Sequence, residues 1–405
     1  MGDFHQNGII STLHNLNDRP LLELERELME FSHLNPMTLI LPSLFSELEG
    51  DALKDIISEL ASAPYLSEIV IGLDRADKQQ FEYAKKFFST LPQHHRILWN
   101  DGPRLQTIHK ELEDKGLAPT EPGKGRNVWY CMGYTLGTGL SEIVGLHDCD
   151  ILTYDRYIPA RLFYPVANPN FSYTFSKGYY PRIADNKMNG RVTRLLLQPL
   201  LNALRQIYGL NEYLDFLRSF RYPLSGEFAM HINTIPNLRI PSDWGLEIGM
   251  LSEIYRNYSP RAICQVDLAD NYDHKHQDVS HDDQAKGLSK MSIDITKSIF
   301  RKMATDGEVF SMEKFRTIKA TYFRMALDMV EMYHDDAVMN GLSIDLHKEE
   351  KTVELFAANI MDAGDAFLNN PHKAPFIPRW GRISHAIPNI LERLTEAVEL
   401  DNIDD

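Results

Sequence analysis

Between Met37 and Asp150 short apolar runs alternate with amphipathic stretches, and few folds accept that pattern. MTLILP, SEIVIGLD, HRILWN and SEIVGLHDCD read as strands, while ALKDIISELASA, KQQFEYAKKFFSTL, RLQTIHKELEDKG and NVWYCMGYTLGTG have helical spacing. The strands are apolar on both faces rather than on alternate residues. A mostly parallel sheet flanked by helices buries both faces of such strands, so the predicted class is α/β.

The remainder divides around this block. Residues 1–33 read as a lead-in with one amphipathic helix, LLELERELMEF. After residue 150 the alternation loosens: NFSYTFSKGYY reads as a strand pair or ribbon, RVTRLLLQPLLNALRQIYG, EYLDFLRSF and GLEIGMLSEIYRNY as helices, and RAICQVDL as a strand. From 281 to 405 the pattern is helical, ending in AIPNILERLTEAVEL. The expected organisation is a lead-in (1–33), an α/β domain (34–280, with a nucleotide half to about 150 and a second half beyond it) and a helical C-terminal region (281–405). The apolar stripes in MALDMVEMY and LFAANIM would serve a homodimer interface or, as such stripes more often do, the chain's own core.

Charge and cysteine usage exclude several classes. Lys plus Arg is 42 against 57 Asp plus Glu, giving a formal net charge of −15. A chain this acidic does not grip nucleic acid non-specifically, although local cations can still hold a small anion. The three cysteines, Cys131, Cys149 and Cys264, form neither a disulfide framework nor a CxxC site. With no apolar run of membrane length and no basic-then-apolar leader, a cytoplasmic setting is expected.

Ligands of open parallel sheets bind beyond the carboxyl ends of the strands. Neither G-x-G-x-x-G nor a P-loop stands there. Asp148-Cys149-Asp150 does, directly after IVGLH; two carboxylates at this spacing can hold a hard divalent cation and touch a ribose. The alternative is a solvated acidic turn. Asp273-His274-Lys275-His276 follows the strand AICQVDL and offers imidazole to the same cation, against the reading of a polar loop. Gly123-Lys124-Gly125 and Gly190-Arg191-Val192-Thr193 each open a helix with the parts of an anion site, or with no more than a helix cap. Leu224-Ser225-Gly226-Glu227 and Asp243-Trp244-Gly245-Leu246-Glu247 add carboxylates able to meet sugar hydroxyls. The dipeptides His147-Asp148 and His334-Asp335 raise a metal phosphohydrolase as a rival, but His147-Asp148 closes a strand.

In this order, LPSL with Glu47 beyond it, GKG, D-x-D, GRVT, LSGE, DWGLEIGML and a histidine after a strand, the motifs resemble the glucosyl-3-phosphoglycerate synthase family over residues 38–280. GRVT and WGLEIG carry most of the specificity. The resemblance implies a GT-A fold, a nucleotide-sugar-binding sheet with a helical extension, and retaining transfer of a hexose from a UDP- or GDP-sugar to 3-phosphoglycerate. It places Pro42, Ser43, Leu44, Glu47, Lys124 and Asp148 around the nucleotide, and Leu224, Trp244 and Glu247 around the sugar. It implies that Gly190, Arg191, Thr193 and His276 hold the acceptor. Asp150 and His274 would bind Mg2+ or Mn2+, with His276 an alternative ligand. Glu247, Asp150 and Arg191 would carry the catalysis, the metal and Lys124 taking up the charge of the leaving nucleotide. No enzymic nucleophile stands out, which points to attack on the leaving-group face. A mannosylglycerate-type synthase and a nucleotide-sugar-binding protein without transfer activity are the other readings.

Overall fold

The computed structural model describes residues 6, 8–17, 19–273, 287–371 and 376–403. In chain order it begins β1 (Ser11–Leu13), α1 (Leu21–Ser32), β2 (Met37–Leu44), α2 (Asp51–Leu60), β3 (Leu66–Asp74), α3 (Lys78–Phe88), β4 (His94–Trp99), α4 (Pro103–Asp114), α5 (Lys124–Thr138) and β5 (Ile143–Leu146). There follow α6 (Tyr157–Ala167), β6 (Phe175–Tyr179), β7 (Ile183–Ala184), β8 (Lys187–Met188), α7 (Gln198–Tyr208), α8 (Glu212–Ser219), β9 (Phe228–His231), α9 (Leu246–Asn257) and β10 (Ile263–Asp267). The C-terminal helices are α10 (Gly287–Thr305), α11 (Met312–Met339), α12 (Leu346–Asn369), α13 (Trp380–Ala386) and α14 (Ile390–Asn402).

Among the described residues one sheet of eight strands runs β1-β10-β6-β9-β5-β2-β3-β4. Only β9 is antiparallel to its neighbours, β5 and β6; the other pairings are parallel. Successive residues of each strand point to opposite faces, and both faces are covered. Leu39, Leu41, Ile69 and Ile71 pack with α1, α2, α3 and α6, while Ile40, Val70, Val144 and Leu146 pack with α4, α5, α7 and the later helices. The continuous apolar runs of the sequence therefore match two buried faces.

The chain leaves β2 for β3 and β4 on one side, then returns to place β5 on the other. The carboxyl ends of β2 and β5 form the point where strand order reverses, the usual ligand crevice of such sheets. Ile40 pairs with Leu146, and the His147 amide donates to the Ile40 carbonyl at 3.2 Å, so Asp148 and Asp150 emerge beside the end of β2.

Several elements differ from the sequence expectation. The 170–180 segment supplies one strand, β6, in the main sheet; the ribbon is β7–β8, further on. The wholly buried pattern of β6 places it within a sheet rather than at a surface hairpin. The lead-in adds β1, paired with β10. Helix α6, which carries Pro165 and is buried around most of its circumference, is not among the expected helices. The last expected helix, read from Ala386, begins only at Ile390 as α14, after Pro388 and Asn389 at φ 63°, and the short helix α13, outside that expectation, precedes it. The α11 and α12 stripes bury Ala326, Val330, Phe356, Ala357 and Ile360 in the chain's own core.

Candidate active site at the carboxyl ends of the strands

Lys124 is the first residue of α5 and the hub of the site. Its ammonium lies 2.6 Å from Asp148 Oδ1 and 3.1 Å from Glu247 Oε1. Burial alone would lower its pKa, but Asp148 and Glu247 overcome that and hold it above the ordinary lysine value. GKG meets the DWG segment closely: a Cβ on Gly125 would sit 2.3 Å from the Pro241 carbonyl oxygen, so only glycine permits the approach. Asp243 accepts from the Gly245 amide at 2.9 Å at the start of α9, which sets Glu247 in that helix's first turn. Burial, and then Asp294, push Asp243 up to about 6.

The LSGE segment packs onto the same carboxylate. A Cβ on Gly226 would fall 2.3 Å from Asp148 Oδ2. Next to it, Glu227 is fully buried; the Tyr272 hydroxyl donates to Oε1 at 2.8 Å and the Tyr180 hydroxyl to Oε2. Burial and then Asp148 raise the Glu227 pKa, against the two tyrosine bonds. The Tyr180 and Tyr272 rings stack 3.5 Å apart. Lys177, on β6, is also buried and donates to the Ser225 carbonyl; burial lowers it to about 8, although Glu247 and Glu227 pull it upward.

Asp150 is desolvated beside these charges. Burial first, then Asp148, push it up to about 7, with Glu47 adding and Lys124 opposing. Pro42, Ser43 and Leu44 form the end of β2, and Glu47 lies in the short 3-10 helix Phe45–Glu49 that follows. Leu224 is half-buried against the core and Trp244 is exposed. His147 is buried in the strand end, its imidazole lowered to about 3 by burial, so it acts as a neutral ring packed edge-on to Tyr154. His274 and His276 lie outside the described residues. The chain just before them is fixed: the Asp273 carbonyl accepts from the Leu152 amide at 2.8 Å, and the Asp273 amide donates to Thr153 Oγ1 at 3.0 Å. Residue 273 therefore lies beside the segment that follows Asp150. Among the described residues no three His, Cys, Asp or Glu side chains form a group able to hold a metal ion.

The Gly190–Thr193 segment is joined to this end of the sheet through backbone. The Tyr272 amide donates to the Pro181 carbonyl at 3.1 Å, and the Asn189 amide to the Arg182 carbonyl at 2.7 Å. Arg191 precedes a π-helical stretch, Val192–Leu197, in which Thr193 is buried. Such wide turns recur at functional sites. Arg191 Nε donates to Glu349 Oε1 at 3.0 Å, a partner from α12. Lys177, Arg194 and Glu349 were not singled out from the sequence. A lysine inside the apolar run TFSKGYY was the available signal for Lys177, since lysine is rarely buried unpaired. Nothing local marks Glu349.

With the geometry in view, the comparisons are consistent. No family model matches the chain. The glucosyl-3-phosphoglycerate synthase of Persephonella marina is 45% identical over 405 residues, covering 100% of both chains. That of Methanococcoides burtonii is 38% identical over 405 residues, covering 98% of each. Among solved structures, Mycobacterium tuberculosis glucosyl-3-phosphoglycerate synthase in complex with phosphoglyceric acid superposes with a TM-score of 0.53 at 20% identity, covering 75% of this chain and 90% of that one. Mannosyl-3-phosphoglycerate synthase of Rubrobacter xylanophilus gives 0.53 at 20% identity, covering 74% and 83%. At this identity the structures speak for the fold alone, a mostly parallel α/β sheet with C-terminal helices; the full-length relatives define the class, a glycosyltransferase. They take the assignment further. The chain belongs to the glucosyl-3-phosphoglycerate synthase family. No helix among the described residues is long and apolar enough to cross a membrane.

Proposed function

We propose that the protein transfers glucose from UDP-glucose to the free hydroxyl of 3-phosphoglycerate, with retention at the anomeric carbon. The observation that carries this reading is Lys124 seated between Asp148 and Glu247 at the carboxyl ends of the strands. Full-length relatives of that name support the choice of substrates. The M. tuberculosis enzyme was solved with Mn2+, UDP-glucose and phosphoglyceric acid.

In this reading Pro42, Ser43, Leu44 and Glu47 border the nucleoside, and Asp148 meets the ribose. Lys124 keeps its proton and faces the charge that develops on the leaving diphosphate. Glu247 contacts the hydroxyls of the glucose, walled by Leu224 and Trp244. Gly190, Arg191 and Thr193, with His276, hold the acceptor's anionic groups and fix its hydroxyl against the anomeric carbon. Asp148 and Glu247 both bond Lys124, and the oxygens of Glu227 are both taken by tyrosines. None of these carboxylates is placed as a free nucleophile, which favours attack on the leaving-group face.

The donor set suits a divalent cation. Burial first, and then the neighbouring Asp148, push Asp150 up to about 7, and a bound cation relieves both by favouring the charged carboxylate. Oxygen and imidazole ligands match Mg2+ or Mn2+. Asp150, with His274 or His276, would hold the ion. When bound it supplies neutralisation of the diphosphate.

A matrix of donors and acceptors with and without Mg2+ tests the reading, with the product examined by NMR. UDP-glucose with 3-phosphoglycerate should give one α-linked product and equimolar UDP. Hydrolysis of UDP-glucose alone, or release of phosphate, would refute it. Preference for GDP-mannose would favour the second reading, a mannosyl transferase.

A further inference from the structure

Glu349 sits in the first turn of α12 and is only 3% exposed. Its two oxygens are divided between two arginines of the acceptor segment. Arg191 Nε donates to Oε1 at 3.0 Å and Arg194 Nη1 to Oε2 at 2.9 Å. Arg194 is itself buried. Its Nε donates to the Asn189 carbonyl at 2.8 Å, its Nη2 to the Met188 carbonyl at 3.2 Å, and its guanidinium carbon lies 5.0 Å from the Tyr333 ring centroid. Arg194 and Glu349 thus form a fixed post between the acceptor segment and the C-terminal helices.

Arg191 is held differently. Its side chain is 29% exposed, and Glu349 engages only Nε. Among the described residues its terminal nitrogens make no hydrogen bond or ion pair. A planar guanidinium gripped at one nitrogen keeps its remaining N–H groups in a defined direction, ready for the forked contact that phosphate and carboxylate favour. An ungripped arginine would lose rotamer freedom on binding instead. Arg194 alone already balances the Glu349 charge, so charge neutralisation by itself does not require the second arginine.

We propose that Glu349 is a positioning residue for the acceptor: it presents Arg191 to the acceptor's anionic group and so makes the C-terminal helices part of the acceptor site. The proposal rests on the reading of Gly190–Thr193 as the acceptor segment. The partner lies 158 residues further along the chain, beyond any local motif.

The test uses full-length Glu349→Gln, Glu349→Asp, Arg191→Ala and the Glu349→Gln/Arg191→Ala double variant, with 3-phosphoglycerate and UDP-glucose varied in turn. Glu349→Gln should raise the KM for 3-phosphoglycerate roughly tenfold, within the coupling found inside one ion-pair network. The kcat and the KM for UDP-glucose should stay within about twofold. In the Arg191→Ala background the same change should add nothing to the acceptor KM. Glu349→Asp keeps the charge on a shorter arm and should fall between; it carries the same test if the Gln variant does not fold. An unchanged acceptor KM overturns the proposal. So does an equal increase in both backgrounds, or a matching rise in the donor KM, because either marks a general structural effect. If Arg191→Ala itself leaves the acceptor KM unchanged, the acceptor reading fails and takes the proposal with it. An Arg191 effect without a Glu349 effect sinks the proposal alone.

Discussion

The proposed donor and acceptor sides of the site are held in place by different means. Asp148, Asp150 and Lys124 stand where main-chain elements end: β5 delivers the two aspartates and the start of α5 delivers the lysine. A parallel sheet with reversed strand order brings such ends together whatever follows in the chain. Arg191 stands just ahead of a π-helical turn and is gripped by a glutamate from α12. In this reading the donor side is chiefly a consequence of topology, with Lys124 then paired to Glu247, whereas the Arg191 guanidinium on the acceptor side is set by a long-range ion pair.

The comparison can be broken most decisively on the donor side. Asp150→Asn should reduce turnover by about a thousandfold at saturating substrates, the scale of losing a principal electrostatic stabiliser. Melting should be unchanged or slightly improved, since a buried carboxylate crowded by Asp148 and Glu47 is removed. Turnover within tenfold of the parent would contradict the assignment. Arg191→Ala should raise the acceptor KM by roughly a hundredfold, the upper range for losing a charge-assisted contact. Its donor KM should hold steady, and parallel loss of both would erase the distinction between the two sides.

Smaller effects sharpen it. Gly226→Ala places a methyl group 2.3 Å from the Asp148 carboxylate. The shift this forces should cost about tenfold in kcat/KM for the donor, the penalty of modest misplacement, and spare the acceptor KM. Glu68 is a control at the amino end of β3, away from the site. It is buried against Thr38 and pushed up to about 7 by that burial. A carboxyl raised in the folded state stabilises the fold below its unfolded pKa, near 4.3, and that contribution is lost as pH climbs through about 7. Glu68→Gln should therefore gain roughly 3 kcal/mol relative to the parent between pH 4 and pH 8 in urea unfolding. Its kcat should stay within about twofold. Parallel stability profiles would show that Glu68 does not titrate this way.

The difference between the two sides also explains what the sequence disclosed. The apolar runs MTLILP and SEIVIGLD are buried on both faces, so their pattern announced a covered parallel sheet and, with it, where Asp148 would emerge. GKG and LSGE were legible as motifs because glycines permit the close approaches at Gly125 and Gly226. Helix α6 was missed because Pro159 and Pro165 argue against a helix, and β9 because a short antiparallel strand follows a segment read only as a motif. Lys177 was passed over although a lysine in an apolar strand is a signal in its own right. Glu349 could not be found this way at all, since an ion pair between α12 and the acceptor segment leaves no trace in local composition.

The claim that topology fixes one side and an ion pair the other is tested most directly by parallel calorimetric titrations of Asp150→Asn and Arg191→Ala. UDP with Mg2+ and 3-phosphoglycerate are the two ligands, the latter added to protein already holding UDP with Mg2+ at saturating concentration. The account predicts that Asp150→Asn weakens UDP binding in Mg2+ but not in EDTA, and that Arg191→Ala weakens 3-phosphoglycerate while leaving UDP unchanged. If Arg191→Ala weakens both ligands alike, or Asp150→Asn leaves the Mg2+ dependence of UDP binding intact, the account is wrong.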